Sequence, residues 1–365
     1  MTAQGLCHDR FAPVARAFAE GLPEELGAGF AVVVDGELVL DLAGGFADRA
    51  KTQPFTRATL TPVYSTTKAL AAIMIARLVD QGRLSYDQRV AEVWPEFGQH
   101  GKDRLTIAQA MSHQSGVPGL KEAPAPEEWF AWDPICARIA AAEPLWPPGT
   151  ASGYHATLYG YIAGEIFRRV DGRTMGTALR EDVAEPHGYD LWIGLPQEED
   201  FRVAELERPK ALPDFGQMNE ARQLAFMTRW AAPPRTGVEW RRAELPSTNG
   251  HCTPASLALL MGALAQGGGD ILSPAILAQA VKERIAGDDL VMPYYMSWGA
   301  GFMRNTRGMY GPNPESFGHS GWGGSCAFAD PAKKVAMAYV MNRQSALLLG
   351  DPRPRRLIEA AYACL

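Results

Sequence analysis

The sequence predicts an α+β fold, an antiparallel sheet flanked by helices with a mostly helical second lobe. Strand-type segments gather at both ends of the chain, at Phe30–Val34 and Leu38–Leu42 and again at Val335–Met341. From about 83 to 240 the texture is instead helical and loop-rich. No internal repeat or low-complexity tract separates these regions. The simplest assembly joins the two sets of strands in one sheet built from 1–62 and 248–365, with 63–247 as a helical lobe beside it in a single domain.

Composition narrows the function classes. The 365 residues are 47% hydrophobic and 21% charged, enough for one large domain or two lobes sharing a core. Net charge is −6 and no run of lysines or arginines forms a patch, so neither nucleic acid nor an anionic membrane is an expected partner. The apolar helical runs fall short of the roughly 20 residues that span a bilayer. Residues 1–10 hold no basic segment followed by an apolar one, so no secretory signal is expected. The cysteines (Cys7, Cys136, Cys252, Cys326 and Cys364) are scattered, lack metal-ligand spacing and read as reduced thiols. A cytoplasmic location without metal is the expectation. Oligomeric state is not legible.

Taken in order, residues 9–21 carry Phe11, Val14, Ala15 and Phe18 on one face and close at Gly21, which predicts a helix. Two β-rich runs around Asp35-Gly36 predict a hairpin. The turn-rich loop 44–62 leads to a helix over 66–81, a stretch without proline or glycine that Gly82 ends. Further helices are expected at 104–112, 127–142, 157–169 and 174–184. In 200–247, Pro209, Pro213, Pro233, Pro234 and Pro246 break the pattern, and no strand can be placed. Helices follow at Thr253–Gln266 and, with Pro274 in its first turn, at Ser273–Ala286. Strands return at Trp298–Met303, Ser316–Gly318, Cys326–Phe328 and Val335–Met341, with a turn through Asp330-Pro331 and Lys333-Lys334. A helix over about 351–364 ends the chain.

The helix at 66–81 carries the first chemical signal. Ser65 and Lys68 lie three residues apart, and on a helix such residues share a face with Cβ atoms roughly 5–6 Å apart. The apolar run 69–76 leaves no polar face, so the helix should be buried. Burial disfavours a charged lysine, and a neutral lysine can take the proton of a serine and make it a nucleophile. An ordinary helix with a capping serine and a snorkelling lysine fits the same residues. S-x-x-K therefore needs support from elsewhere in the chain.

Two motifs supply it. Pro148-Gly149-Thr150-Ala151-Ser152-Gly153-Tyr154-His155-Ala156 directly precedes the helix at 157–169. Phe317-Gly318-His319-Ser320-Gly321-Trp322-Gly323-Gly324-Ser325 lies between late strands. With Met111-Ser112-His113-Gln114-Ser115-Gly116 and Phe328-Ala329-Asp330-Pro331, these make the chain resemble the serine β-lactamase and penicillin-binding-protein superfamily. Its nearest likeness is to the esterases related to class C β-lactamases, the family VIII carboxylesterases. The resemblance runs from the 30–42 hairpin to the strand Val335–Arg343 and implies a β-lactamase/transpeptidase-like fold. It also implies a nucleophilic Ser65, Lys68 as its immediate partner and Tyr154 as the second proton-transfer group. Tyr159 and Tyr161 are rivals to Tyr154, but they fall inside the expected helix rather than ahead of it. His319-Ser320-Gly321 would take the K-T-G position on an edge strand and hold substrate, with the N–H groups of Ser65 and Trp322 as oxyanion donors. A register with Trp322-Gly323-Gly324 as the third motif is the alternative.

Two departures bear on substrate. Ala156 stands where β-lactamases carry the asparagine of Y-x-N, and His319 replaces the lysine of K-T-G, weakening a fixed cation. Both favour an uncharged ester over a β-lactam. The resemblance thus implies a serine carboxylesterase acting on small-molecule esters of short acyl chains, with no cofactor. Ser247-Thr248-Asn249 resembles the S-D-N box of class A enzymes but comes late, and reads as a cleft-wall loop or as packing. Trp129, Trp132, Trp146 and Trp322 hint at an aromatic cleft, and His155 is the remaining histidine nearest the site. A β-lactamase, a D-aminopeptidase, an acyltransferase or a non-catalytic penicillin-binding-like protein are the rival readings. No G-x-S-x-G elbow is present.

Overall fold

The computed structural model describes residues 3–227, 232 and 237–365, so Pro233 and Pro234 lie outside the described residues. Twelve strands form among them: β1 (Gln4–Cys7), β2 (Gly27–Val34), β3 (Glu37–Gly45), β4 (Thr61–Pro62), β5 (Leu191–Ile193), β6 (Gly250–Cys252), β7 (Ile285–Asp288), β8 (Tyr295–Trp298), β9 (Met303–Arg304), β10 (Phe317–Ser320), β11 (Cys326–Asp330) and β12 (Val335–Met341). Nine of these make one antiparallel sheet in the order β1-β3-β2-β12-β11-β10-β9-β8-β7. The join between the ends of the chain is β2 against β12, with Ala31 opposite Ala338. The expected single sheet of early and late strands is therefore present.

Residue size alternates along the central strands and decides what packs on each face. Ala336, Ala338 and Val340 of β12, with Ala31 and Val33 of β2, face one core, which holds helix α5 (Pro254–Ala265) and the helices of the helical lobe. Val335, Met337, Tyr339 and Met341 face the other, beneath α1 (Ala12–Gly21) and α7 (Pro352–Tyr362). The small residues let α5 approach closely. A Cβ added at Gly262 would stand 2.7 Å from a Val33 methyl.

Helix α2 (Thr67–Asp80) runs between sheet and lobe, with every residue from Thr67 to Ala76 buried. Against it pack α4 (Leu158–Asp171), α6 (Pro274–Val281) and the short helix Met175–Leu179. Helix α3 (Trp132–Ala141) lies outside α4. None of the described helices is long and apolar enough to cross a membrane.

Several expectations change. The helix expected over Ser273–Ala286 stops at Val281, and Ile285–Asp288 is strand β7 instead, because pairing with β8 outweighs the local helix preference of Lys282-Glu283-Arg284. The strand expected over Trp298–Met303 is a hairpin. Gly299 and Gly301 turn the chain, and Trp298 pairs with Met303. The segment 174–184 is helical only to Leu179, then widens into a π turn and ends at His187. Strand β1 and the small sheet β4-β6-β5 were not foreseen. Nor is β10 an edge strand, since it lies between β11 and β9. However, β9 pairs only with Phe317 and Gly318, so His319 and Ser320 are paired on the β11 side alone.

Ile73, wholly buried at the middle of α2, offers a direct check on this packing. Ile73→Ala should destabilise the protein by about 2–5 kcal/mol, read as a lower urea midpoint at unchanged m-value. A midpoint that does not move would show that α2 is not a core helix.

Candidate active site

The segment that carries Ser65 is fixed before the helix begins. Val63 donates its N–H to the Gly250 carbonyl at 2.9 Å. Tyr64, buried, adopts a left-handed conformation with φ 48°, sparsely populated for a residue of its size and held by its surroundings. Thr67 Oγ1 donates to the Tyr64 carbonyl and accepts the Gly250 N–H at 2.8 Å. The turn these bonds define presents Ser65 to a cleft, while α2 takes Lys68 inward.

Lys68 has no solvent exposure. Its Nζ lies 3.2 Å from Ser65 Oγ and donates to the carbonyls of Ala156 at 2.9 Å and Ser247 at 3.1 Å. Nζ also sits 4.8 Å from the centre of the Tyr154 ring and 5.5 Å from that of Tyr159. Two of these oxygens are carbonyls, which can only accept a hydrogen bond, and the Ser65 hydroxyl lies within reach of the same amine.

Tyr154 arrives on the loop ahead of α4. Its N–H donates to Asp289 Oδ1 at 2.9 Å, and the same oxygen accepts from Val291 and Met292. The Tyr154 ring stacks on Trp298 at 5.7 Å and meets His113 at 4.9 Å. Tyr159 and Tyr161 lie inside α4, as the spacing suggested, and neither lines the cleft. His155 does not reach the cleft. It is buried, with Nε2 on Ser115 Oγ and Nδ1 on the Gly153 carbonyl, both at 2.5 Å.

The third motif divides at the end of β10. Ser320 lines the cleft, its Oγ 2.9 Å from Tyr310 Oη, while Trp322 forms another wall and packs edge-on against Tyr64 at 5.7 Å. Gly321 is not part of the lining. A Cβ there would stand 2.2 Å from the Val63 carbonyl, so glycine alone permits this approach of the strand end to the nucleophile turn. Gly321 N–H donates to the Ser325 carbonyl at 2.7 Å. Ser325 Oγ donates to the Val63 carbonyl at 2.8 Å and lies 3.1 Å from Thr66 Oγ1. His319 is buried behind Tyr154, its ring 6.2 Å away and its Nδ1 on the Ser320 carbonyl. Trp322-Gly323-Gly324 lies in the turn between β10 and β11.

The cleft holds about 210 Å³ and brings Ser65, Tyr154, Ala156, Ser320 and Trp322 together. Thr248 joins them, and the Ser247 carbonyl holds Lys68, so the Ser247-Thr248-Asn249 loop does form a wall. Sequence reasoning missed the apolar remainder: Leu212, Phe215, Phe226, Met292, Met303 and the Leu348-Leu349 pair. No motif marks these positions. Trp129 and Trp132 line a separate cavity beyond α4 and Trp146 packs edge-on against the buried His155, leaving Trp322 the member of the tryptophan set in the cleft. No described residues cluster as metal ligands.

These three motifs on these elements can be set beside known proteins. A family model described as Beta-lactamase matches residues 15–362. The chain belongs to the β-lactamase family. Within that family it is 34% identical over 361 residues to the esterase/beta-lactamase LipL of Mycobacterium tuberculosis, covering 93% of this chain and 82% of that one. Among solved structures, a penicillin-binding protein homologue from Caulobacter crescentus superposes with a TM-score of 0.97 at 58% identity, covering all of both chains. A family VIII carboxylesterase superposes with a TM-score of 0.94 at 42% identity, again over the whole of both. At this level the β-lactamase-family chain is a serine hydrolase with esterase homologues.

Histidines around the site stay neutral. Burial, the largest cause, pushes His319 down to about 3. Burial likewise takes His251 and His155 each to about 4, despite their bonds to the Asn249 and Gly153 carbonyls. It also places His113 well below its ordinary value. The unfolded chain therefore binds protons near pH 6.5 that the folded chain refuses. Stability from these groups is full above pH 6.5 and is lost as pH falls from there towards 4, by up to about 1.4 kcal/mol per histidine per pH unit. Urea midpoints at pH 7.5, 6 and 5 should fall in that order, and equal midpoints would contradict the neutral set.

Proposed function

We propose that the chain is a carboxylesterase that hydrolyses uncharged esters of short acyl chains through an acyl-enzyme on Ser65. The observation that carries this reading is the placement of Lys68 Nζ between Ser65 Oγ and two carbonyls. As a neutral amine, Lys68 satisfies the carbonyls of Ala156 and Ser247 with its two N–H groups and turns its lone pair to the Ser65 hydroxyl. It takes that proton as Ser65 Oγ bonds to the ester carbonyl carbon. The N–H groups of Ser65 and Trp322 then stabilise the oxyanion. Tyr154, whose ring lies beside Nζ, passes the proton to the departing alcohol. A water deprotonated by the same pair attacks the acyl-enzyme, the Ser65–acyl bond breaks, and the carboxylic acid leaves. No cofactor enters these steps.

The preference for an uncharged substrate rests on the walls. Lysine, arginine, histidine, aspartate and glutamate are all missing from the cleft lining among the described residues. His319, where a K-T-G lysine would be, is buried and neutral, so it provides no cation for a β-lactam carboxylate. Ala156 offers no side-chain amide. The name of the family VIII carboxylesterase agrees with this choice, while that of LipL includes both activities.

Hydrolysis of p-nitrophenyl acetate and butyrate tests the reading, with nitrocefin run in parallel. Ser65→Ala and Lys68→Met should each lower kcat by about 10³-fold or more, and Tyr154→Phe by about 10²–10³-fold, with KM nearly unchanged. A fluorophosphonate should add its mass to the peptide containing Ser65. Full activity in Ser65→Ala, an adduct on another serine, or faster nitrocefin than ester turnover would each defeat the proposal.

A further inference from the structure

Behind the turn that carries Trp322 lies a group of buried charges that the chemistry above does not use. Arg353, in the first turn of α7, donates from Nη1 to Glu25 Oε2 at 2.8 Å and from Nη2 to Asp351 Oδ2 at 2.7 Å. All three side chains are buried, and Glu25 also accepts from Tyr339 Oη of β12. One arginine thereby ties the segment before β2, the centre of the sheet and the last helix together. Charges of this kind stabilise little beyond what a well-packed apolar set achieves, since desolvation opposes the pairing. The other contacts of the guanidinium point to a second role.

The remaining bonds show where the guanidinium points. Arg353 Nη2 donates to the Gly323 carbonyl at 2.7 Å, and the Ser345 N–H donates to that oxygen at 3.0 Å. Arg353 Nη1 also donates to the Arg343 carbonyl at 2.8 Å. The Gly323 carbonyl is one residue beyond Trp322, in a turn whose Gly323 (φ 96°) and Gly324 (φ 124°) take conformations that side chains disfavour. The turn is closed by the Gly324 N–H on the Gly321 carbonyl at 3.2 Å, and Gln344 Nε2 donates to the Trp322 carbonyl at 3.4 Å, but the peptide between its two glycines has no side chain to fix its orientation. Its front edge is held to the nucleophile by the Ser325–Val63 bond. Its rear edge is held by the bonds to the Gly323 carbonyl.

We propose that Arg353, with the Ser345 N–H, is a positioning residue for reaction at Ser65, anchoring the Gly323 carbonyl so that the Trp322 N–H stays aimed at the developing oxyanion. The proposal rests on the acyl-enzyme reading above. Arg353 touches no substrate. It acts by denying the double-glycine turn its alternative orientations, so its contribution appears in the transition state rather than in ground-state binding. Misaimed by a fraction of an ångström, an oxyanion donor loses much of its effect. Lysine cannot replace it, having no planar fork to meet Gly323, Asp351 and Glu25 together. A cavity of about 180 Å³ lined by Gly324, Ser325 and Asp351 opens beside this network and offers a route for a small cation.

The test uses the full chain with p-nitrophenyl butyrate at 20 °C, beginning with Ser65→Ala. Activity surviving in that variant would refute the acyl-enzyme reading itself, whereas the remaining arms judge Arg353. Arg353→Lys and Arg353→Ala, shown to be folded by circular dichroism, should lower kcat by about 10–100-fold with KM within about threefold, and slow fluorophosphonate inactivation to match. Millimolar methylguanidinium should restore part of the loss in Arg353→Ala and none in wild type. Tyr339→Phe weakens the same network at Glu25 without touching the Gly323 bond, and should lower Tm while leaving kcat unchanged. Where the Arg353 variants fail to fold, Ser345→Pro removes the second donor to the same carbonyl, keeps every buried charge, and should lower kcat in the same direction. Unchanged kcat in a folded Arg353 variant, a Tyr339→Phe loss equal to that of Arg353→Lys, or unchanged kcat in Ser345→Pro would overturn the inference.

Discussion

Everything in the cleft depends on one lysine being held where water cannot reach it. Lys68 lies on a helix with no solvent face, and its Nζ meets two carbonyls and one hydroxyl. The carbonyls come from distant places, Ala156 ahead of α4 and Ser247 ahead of β6. Neither motif alone could set the amine's direction. The protein's task is therefore to keep α2 buried and to bring both loops to it.

The sheet performs that task through residue size. Alanines on one face of β2 and β12 let α5 settle close, and the larger side chains on the other face fill the space under α1 and α7. The nucleophile turn is in turn fastened to the sheet by Ser325 and to the small sheet by Gly250 and Thr67. A left-handed Tyr64 persists because its neighbours on both sides are already fixed. Buried histidines add a polar yet neutral backing to Tyr154, a choice that favours a fixed ring over a titrating one.

Much of this was legible in the order of the residues. Spacing put Ser65 beside Lys68 on an apolar helix, the resemblance to the serine β-lactamase superfamily singled out Tyr154, and strands at opposite ends of the chain foretold the joined sheet. What could not be read was whatever depends on contacts between distant segments. Lys282-Glu283-Arg284 carries a helix preference that the strand partner at Tyr295–Trp298 overrides. His319 looked like a cleft residue because its motif position suggested one, yet strand alternation turns its ring behind Tyr154 while Ser320 faces the cleft. Leu212 and Leu348 come from loops and Phe226 from a helical turn, with no shared pattern, and only the folded chain gathers them. Ser247 gave a correct hint of a wall but none of its carbonyl.

The pairing of β2 with β12 also governs when the molecule becomes competent. The two strands are some three hundred residues apart in sequence. Contacts of such separation close slowly, because the intervening chain must surrender its freedom first. The turn bearing Trp322 is seated on Val63 and on the last helix, so it has no stable form while the C-terminal segment is still being made. During synthesis the segment carrying Ser65 emerges early, whereas Ser325, which fastens it, and Arg353, which backs the Trp322 turn, emerge late. Closure of the cleft is thereby timed by strand order.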